Sequence, residues 1–244
     1  MGPTSNKQHN LKCNTKRINM KNRTVIAGSI GLLMLATLSV PAADPMTTFA
    51  ARSGSKMRIE GTSNIHDWQV ESPFIGGYIE VGPNFPADPD QAATPGKIEA
   101  KGEVFIQVRS LKSLEKDGKP YSDRMDEVMW EHMKETENKR IVYRFSELTL
   151  KEAPKAKDAP YVLDAKGELT VAGVTKPVTL TVNVLPLGEK KLKVTGTTNI
   201  KMTDYKIEPP SPKIAMGLIK TGDDVKLIFE WMLAPKKTSA AAAK

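Results

Sequence analysis

The chain has 244 residues, a formal net charge of +8 and a single cysteine. Six basic residues (Lys7, Lys12, Lys16, Arg17, Lys21, Arg23) fall in the first 42 positions, which hold no acid; beyond them 30 basic residues face 28 acidic ones, a balance of +2. That remainder has no long basic block among aromatics, which excludes the electrostatic footprint of a nucleic-acid binder. It also has no cysteine, which excludes disulfides, a thiol nucleophile and a thiolate metal site.

Residues 1–19 are polar and basic and read as an over-long extension, with Met20 rather than Met1 the better start. From Met20, Lys21 and Arg23 form a positive region and residues 25–40 an apolar one. Val40 and Ala42 occupy the two small positions that a signal peptidase reads. This predicts a signal peptide over 20–42, cleaved after Ala42, and export to the periplasm or beyond. The apolar run is short for a membrane span, although a retained amino-terminal anchor is the alternative. Cys13 precedes the apolar run, so it is not the lipid-bearing cysteine of a lipoprotein. About 200 residues remain, the size of one sizeable core.

The elements follow in chain order. Residues 56–63 and 65–71 predict a strand pair whose phase changes near 64–67, the sign of a bend or bulge. After Pro73, residues 74–81 extend further. Residues 82–96, with Pro83, Pro86, Pro89 and Pro95, predict an irregular surface loop. Residues 97–108 form the cleanest strand, with Ile98, Ala100, Gly102, Val104, Ile106 and Val108 on one face. Small Ala100 and Gly102 would leave room inside or permit a sharply curved backbone.

The period then changes from strand to helix. Over 122–134, Met125, Val128, Met129 and Met133 recur at helical spacing, acids gather at the start, and Ser122 or Asp123 is the cap. The methionine stripe reads as packing on an apolar surface; the alternative is a flexible element at a ligand entrance. Residues 141–150 return to a strand whose phase slips between Phe145 and Leu148. Strands at 161–171, 178–185 and 192–200 follow, joined by turns at 172–177 and 188–190. A proline-rich connection at 201–213 leads to a short strand at 214–219, a closing strand at 225–233 and a mobile tail over 235–244.

Eight or nine strands joined by short antiparallel turns predict an all-β domain. An open sheet of that size would expose two edges, and closure into a barrel removes them. A β-sandwich is the competing arrangement. Eight strands enclose an interior that side chains fill or that holds one small ligand.

Three segments carry a resemblance: GTSNIHDWQVES (61–72), GELTVAGVTKPVTLTVNV (167–184) and VKLIFEWML (225–233). Together they make the chain similar to the YceI-like family of exported, lipocalin-like polyisoprenoid-binding proteins, over about residues 53–234. The resemblance implies an eight-stranded antiparallel lipocalin-like barrel with one packed α-helix and an elongated apolar cavity. It also implies an isoprenoid cargo, such as a polyprenyl phosphate or a quinone tail. The strand–turn–strand signature at 169–177 is expected chiefly to build the fold. Asp204 and Tyr205 resemble a late Asp-aromatic pair of the family, but Met202-Thr203 and Lys206 replace its usual Arg-Ser and Gly.

The alternating faces supply the candidate ligand contacts. They are Trp68; Ile98, Val104 and Ile106; Phe145; Leu180 and Val182; Val194; and Phe229 and Trp231. His66, Asp204 and Tyr205 are the mouth candidates. A long apolar ligand contributes about 0.8 kcal/mol for each CH₂ removed from water, so such a tunnel binds with few polar contacts. No catalytic or metal residue is assigned. His66 and Asp67, adjacent on a strand, point to opposite faces, and no HExxH, glycine-rich phosphate loop or Gly-x-Ser-x-Gly motif is present. The expected protein is therefore an exported, non-enzymatic lipid binder. It needs no cofactor, carries a polyisoprenoid or quinone lipid, and meets membranes transiently. Two alternatives stand beside it. One is a structural or partner-binding barrel with a filled interior. The other is a weak enzyme or resistance factor acting on a lipid-linked substrate.

Overall fold

The computed structural model describes residues 45–89, 91–156, 158–211 and 219–236. The expected extension and signal peptide, the strand expected at 214–219 except its last residue, and the tail beyond Lys236 lie outside them.

Twelve strand segments among the described residues make eight staves of one barrel. β1 (Thr47–Ala51) and β2 (Lys56–Ser63) form the first, β3 (Trp68–Ser72) and β4 (Gly76–Val81) the second. The third joins β5 (Gly96–Ile98), β6 (Ala100–Gln107) and β7 (Lys112–Leu114). The rest are single strands: β8 (Arg140–Glu152), β9 (Tyr161–Val171), β10 (Val174–Pro186), β11 (Leu192–Lys201) and β12 (Thr221–Pro235). Every stave pairs antiparallel with the next. β12 closes the ring by meeting both parts of the first stave, Ala51 beside Leu233 and Met57 beside Phe229. The result is the lipocalin-like barrel; the sandwich alternative fails because no pair of sheet edges is left open around this ring.

Closure demands curvature, and the breaks supply it. At the first break, Ser55 Oγ donates to the Arg52 carbonyl (2.8 Å) and accepts from the Met232 N–H (3.0 Å), which stitches the bend to β12. The phase slip in β8 is a bulge, since the register against β9 shifts between Phe145 and Glu147. At the β9–β10 hairpin, Val171 pairs with Val174 while Ala172 and Gly173 have φ of +48° and +79°. Both central residues are left-handed, the backbone of the type I′ turn that matches strand twist.

Three expectations need correction. Gly102 does not leave space inside, because the Phe145 ring lies over it; a Cβ there would stand 2.6 Å from that ring. The same pairing places Trp68 over Gly61 and Phe229 over Gly196, so aromatic rings cover the strand glycines. The segment 82–96 is also more than a surface excursion. Phe85 is buried and meets Phe49 at 6.2 Å between ring centroids, and the Tyr161 hydroxyl donates to the Gln91 carbonyl at 2.6 Å. With Leu163, Leu192 and Leu233 fully buried nearby in the register, this end of the barrel is solid. β1 also extends the barrel before the expected start at 53; five residues with one fully buried side chain, Phe49, are too short for a periodic signal.

The single α-helix of the described residues, α1 (Asp123–His132), crosses the other end. The Ser122 hydroxyl caps it by accepting the Met125 N–H at 3.3 Å. Its anchor is Asp126, buried, whose carboxylate accepts the Ser113 N–H at 2.6 Å and pairs with Lys112 at 3.1 Å. Trp130 donates from Nε1 to the Leu111 carbonyl (3.2 Å), with Arg109 and Lys112 over its ring at 4.9 and 4.4 Å. Asp126→Ala leaves the buried Ser113 N–H without its acceptor, a cost of about 1–3 kcal/mol. Hydrogen exchange is expected to quicken across α1 and β7 first, with β9 and β10 amides unchanged; uniform acceleration would refute the anchor role.

Candidate functional site

Between the solid end and α1 the barrel is hollow. Its chamber measures about 480 Å³, within the range of roughly 300–1,000 Å³ typical of small-ligand sites. The alternation that places one side chain of every two inward makes its wall apolar. Val104, Ile106, Phe145, Leu180, Val182 and Val194 line it, and Phe229 and Trp231 continue the wall along β12. No Asp, Glu or Lys lines it among the described residues.

The open end is defined by exposed residues that also line the chamber: Ile65 and His66 in the β2–β3 turn, Tyr121 before α1, and Arg124 on the helix. Trp68 stands half-buried at this rim and donates from Nε1 to the Thr62 carbonyl at 3.1 Å. Among the described residues His66 donates to no carboxylate; its Nδ1 lies 2.8 Å from the Asp67 carbonyl and its Nε2 3.4 Å from the Tyr121 hydroxyl. The helix turns Met125, Val128, Met129 and Met133 onto the chamber. The methionine stripe therefore packs the helix down on an apolar surface, and that surface is the wall of the chamber.

One predicted ligand contact and one mouth candidate do not line the chamber. Ile98 is buried, but it lies beyond the β5–β6 break toward the solid end. Asp204 is exposed in the 3₁₀ turn Thr203–Tyr205, whereas its neighbour Tyr205 is buried and lines the cavity. That turn is held by Asp223, which accepts from Thr203 through its N–H (2.9 Å) and its hydroxyl (2.7 Å). Those hydrogen bonds hold the Asp223 carboxyl below its ordinary range. Burial, and then the Asp204 charge, push the Tyr205 phenol up.

Residues outside the predicted set also build the site. Tyr143 lines the wall and donates to the Ala165 carbonyl at 2.7 Å, with the Val178 carbonyl at 3.2 Å; burial pushes its phenol far above the ordinary value. Tyr121 and Phe85 belong to no periodic segment. The available signal was an isolated aromatic beside proline in each case, Pro120 and Pro86. Among the described residues no group of three or more His, Cys, Asp or Glu is arranged to hold a metal ion, and no helix is long and apolar enough to cross a membrane.

A closed up-and-down barrel around an apolar chamber defines a lipocalin-like protein. The family model of the YceI-like domain matches residues 85–233, and the chain belongs to that family. Among solved structures, BcnA of Burkholderia cenocepacia is similar with a TM-score of 0.51 at 15% identity, over 73% of this chain and 95% of BcnA. A polyisoprenoid binding domain from Saccharophagus degradans, implicated in plant cell wall breakdown, gives 0.49 at 13% identity over 79% and 100%. The Campylobacter jejuni YceI protein gives 0.42 at 19% identity over 69% and 84%. At these identities the likeness to BcnA concerns the fold. No curated protein matches the chain.

Proposed function

We propose that the barrel holds an isoprenoid-type amphiphile, a polyprenyl phosphate or an isoprenoid quinone, with its chain in the chamber and its head at the rim. The observation that carries this reading is the hollow interior: about 480 Å³ with an apolar wall and an exposed rim on one side. Such a wall offers a hydrocarbon chain burial without hydrogen bonds to lose. Membership of the YceI-like family supports it, through the isoprenoid cargo that the resemblance implies. Export belongs to the same reading and rests on residues 20–42. Transient membrane contact goes with it, since the cargo is a membrane lipid and the exposed Ile65 and Tyr121 stand at the rim. The same reading makes the protein a carrier rather than an enzyme, and it is supported by a chamber lined, among the described residues, by no carboxylate that could serve as acid or base.

The test is organic extraction of the purified exported protein followed by mass spectrometry, with parallel titration of quinone and polyprenyl phosphate read by quenching of tryptophan fluorescence. Trp68 and Trp231 line the chamber and report directly. The expected result is a co-purified isoprenoid or saturable uptake of an added one. Absence of both would overturn the reading and favour a structural barrel.

A further inference from the structure

A second groove, more open and about 1110 Å³ in volume, runs outside the rim. It is bounded by Glu60 and Thr62 of β2, the turn into β3, residues 114–121, and the start of β12. His66, Trp68, Tyr121, Met125 and Val225 line both this groove and the chamber, so the two spaces meet across one largely aromatic wall.

We propose that this groove seats the polar head of the chamber's occupant, and that it takes an uncharged hydrogen-bonding head in preference to a phosphate ester. The inference rests on the isoprenoid reading of the chamber. Its basis is the charge of the groove. Lys116, Lys119 and Lys226 face Glu60, Asp67, Glu115, Asp117 and Asp224. Two of those lysines are already engaged, Lys119 with Asp117 at 2.6 Å and Lys226 with Glu60 at 3.7 Å. Arg124, the cation on the chamber side of the wall, is paired with Glu127 at 3.0 Å. Lys116 is left with no ion pair among the described residues, against Asp67 and Glu115, which have none either. A phosphate entering this groove meets a negative field, and these groups lie close enough for screening to be incomplete at low salt.

An uncharged head meets a better match. The Tyr121 hydroxyl and His66 Nε2 stand 3.4 Å apart at the junction, and the two rings pack edge to face at 5.9 Å. Between them they donate to or accept from a hydroxyl or a quinone carbonyl without any formal charge. The side chains of Thr62 and Asn199 add neutral polar groups along the same groove.

The experiment compares one isoprenoid chain length with three heads: the free alcohol, the phosphate monoester and a quinone. At low ionic strength the alcohol and quinone are expected to bind severalfold more tightly than the phosphate, as the one net negative charge left by Asp67 and Glu115 against Lys116 implies at groove distances, Asp224 being paired with Lys201. Raising the salt should narrow the gap. The double substitution Asp67→Asn with Glu115→Gln, both exposed in this structure, should narrow it at low salt by raising phosphate affinity relative to the alcohol. Equal or tighter binding of the phosphate would overturn the head-group inference while leaving the chamber reading intact. So would a gap that neither salt nor the charge substitutions move. Failure of all three ligands to bind would instead overturn the chamber reading, and the inference with it.

Discussion

Val182→Phe combined with Val194→Phe is expected to lower isoprenoid affinity a hundredfold or more while the empty barrel still folds. Both valines line the chamber, on the neighbouring strands β10 and β11. Two added rings occupy space that several methylenes of a bound chain would use, and each methylene contributes about 0.8 kcal/mol. Loss of four or more therefore costs roughly 3 kcal/mol, which is a hundredfold or more in Kd. The same rings enter a volume of about 480 Å³ rather than a packed core, so the unliganded protein avoids most of the roughly 1–3 kcal/mol cost of overpacking. Lipid titration and thermal melting of the lipid-free variant measure the two effects separately. A large fall in melting temperature would mean that the interior is already full, and unchanged lipid affinity would place the ligand elsewhere.

Gly167→Ala is expected to damage the fold more than any chamber substitution. Gly167 pairs with Phe145 at the edge of the β8 bulge, and a Cβ there would strike the Arg144 carbonyl oxygen and stand 2.7 Å from the Phe145 Cα. Those are backbone atoms of a paired strand, so no rotamer change relieves the overlap. The cost is of order 3 kcal/mol or more, the upper end for overpacking. Gly196→Ala is the matched control. The atoms a Cβ would meet there belong to the Phe229 ring, which swings more cheaply than a strand moves. Urea unfolding of both variants gives the comparison; equal losses would mean that the bulge tolerates the extra carbon. This is also the physical content of the segment GELTVAGVTKPV. Its first glycine permits the approach of β8 and β9, and its Ala-Gly pair makes the hairpin. The segment specifies architecture, and its Leu169 and Val171 line the chamber together with Leu180, Val182 and Val184 farther along β10.

Strand identity was legible because alternation is a local property. β9 begins and ends at Tyr161 and Val171, as its pattern predicts, and the phase slip after Phe145 marks a bulge in the sheet. The helix was legible for the same reason, from its cap at Ser122 to its methionine stripe. What resisted prediction depends on contacts between distant segments. Phe85 looked like a loop residue until Phe49, on a strand too short to announce itself, gave it a partner. Ile98 has the same alternation as Val104 and Ile106, yet it lies past a break in the stave and packs at the solid end. Asp204 and Tyr205 are neighbours that a 3₁₀ turn sends to opposite environments.

By itself, then, the amino-acid sequence determined the all-β class, the existence of the long strands, the packed helix and the family to which the chain belongs. Each of these is encoded in residues close together along the chain. Only the tertiary structure decided that the interior is hollow. An inward row of apolar side chains is the same whether it meets other side chains across the barrel or leaves a chamber between them. The difference lies in stave number, curvature and the placement of α1, Phe85 and the aromatic rings over glycine. Those are set by closure of the whole ring, which brings residues more than a hundred positions apart to face the same space, Met57 and Phe229 among them.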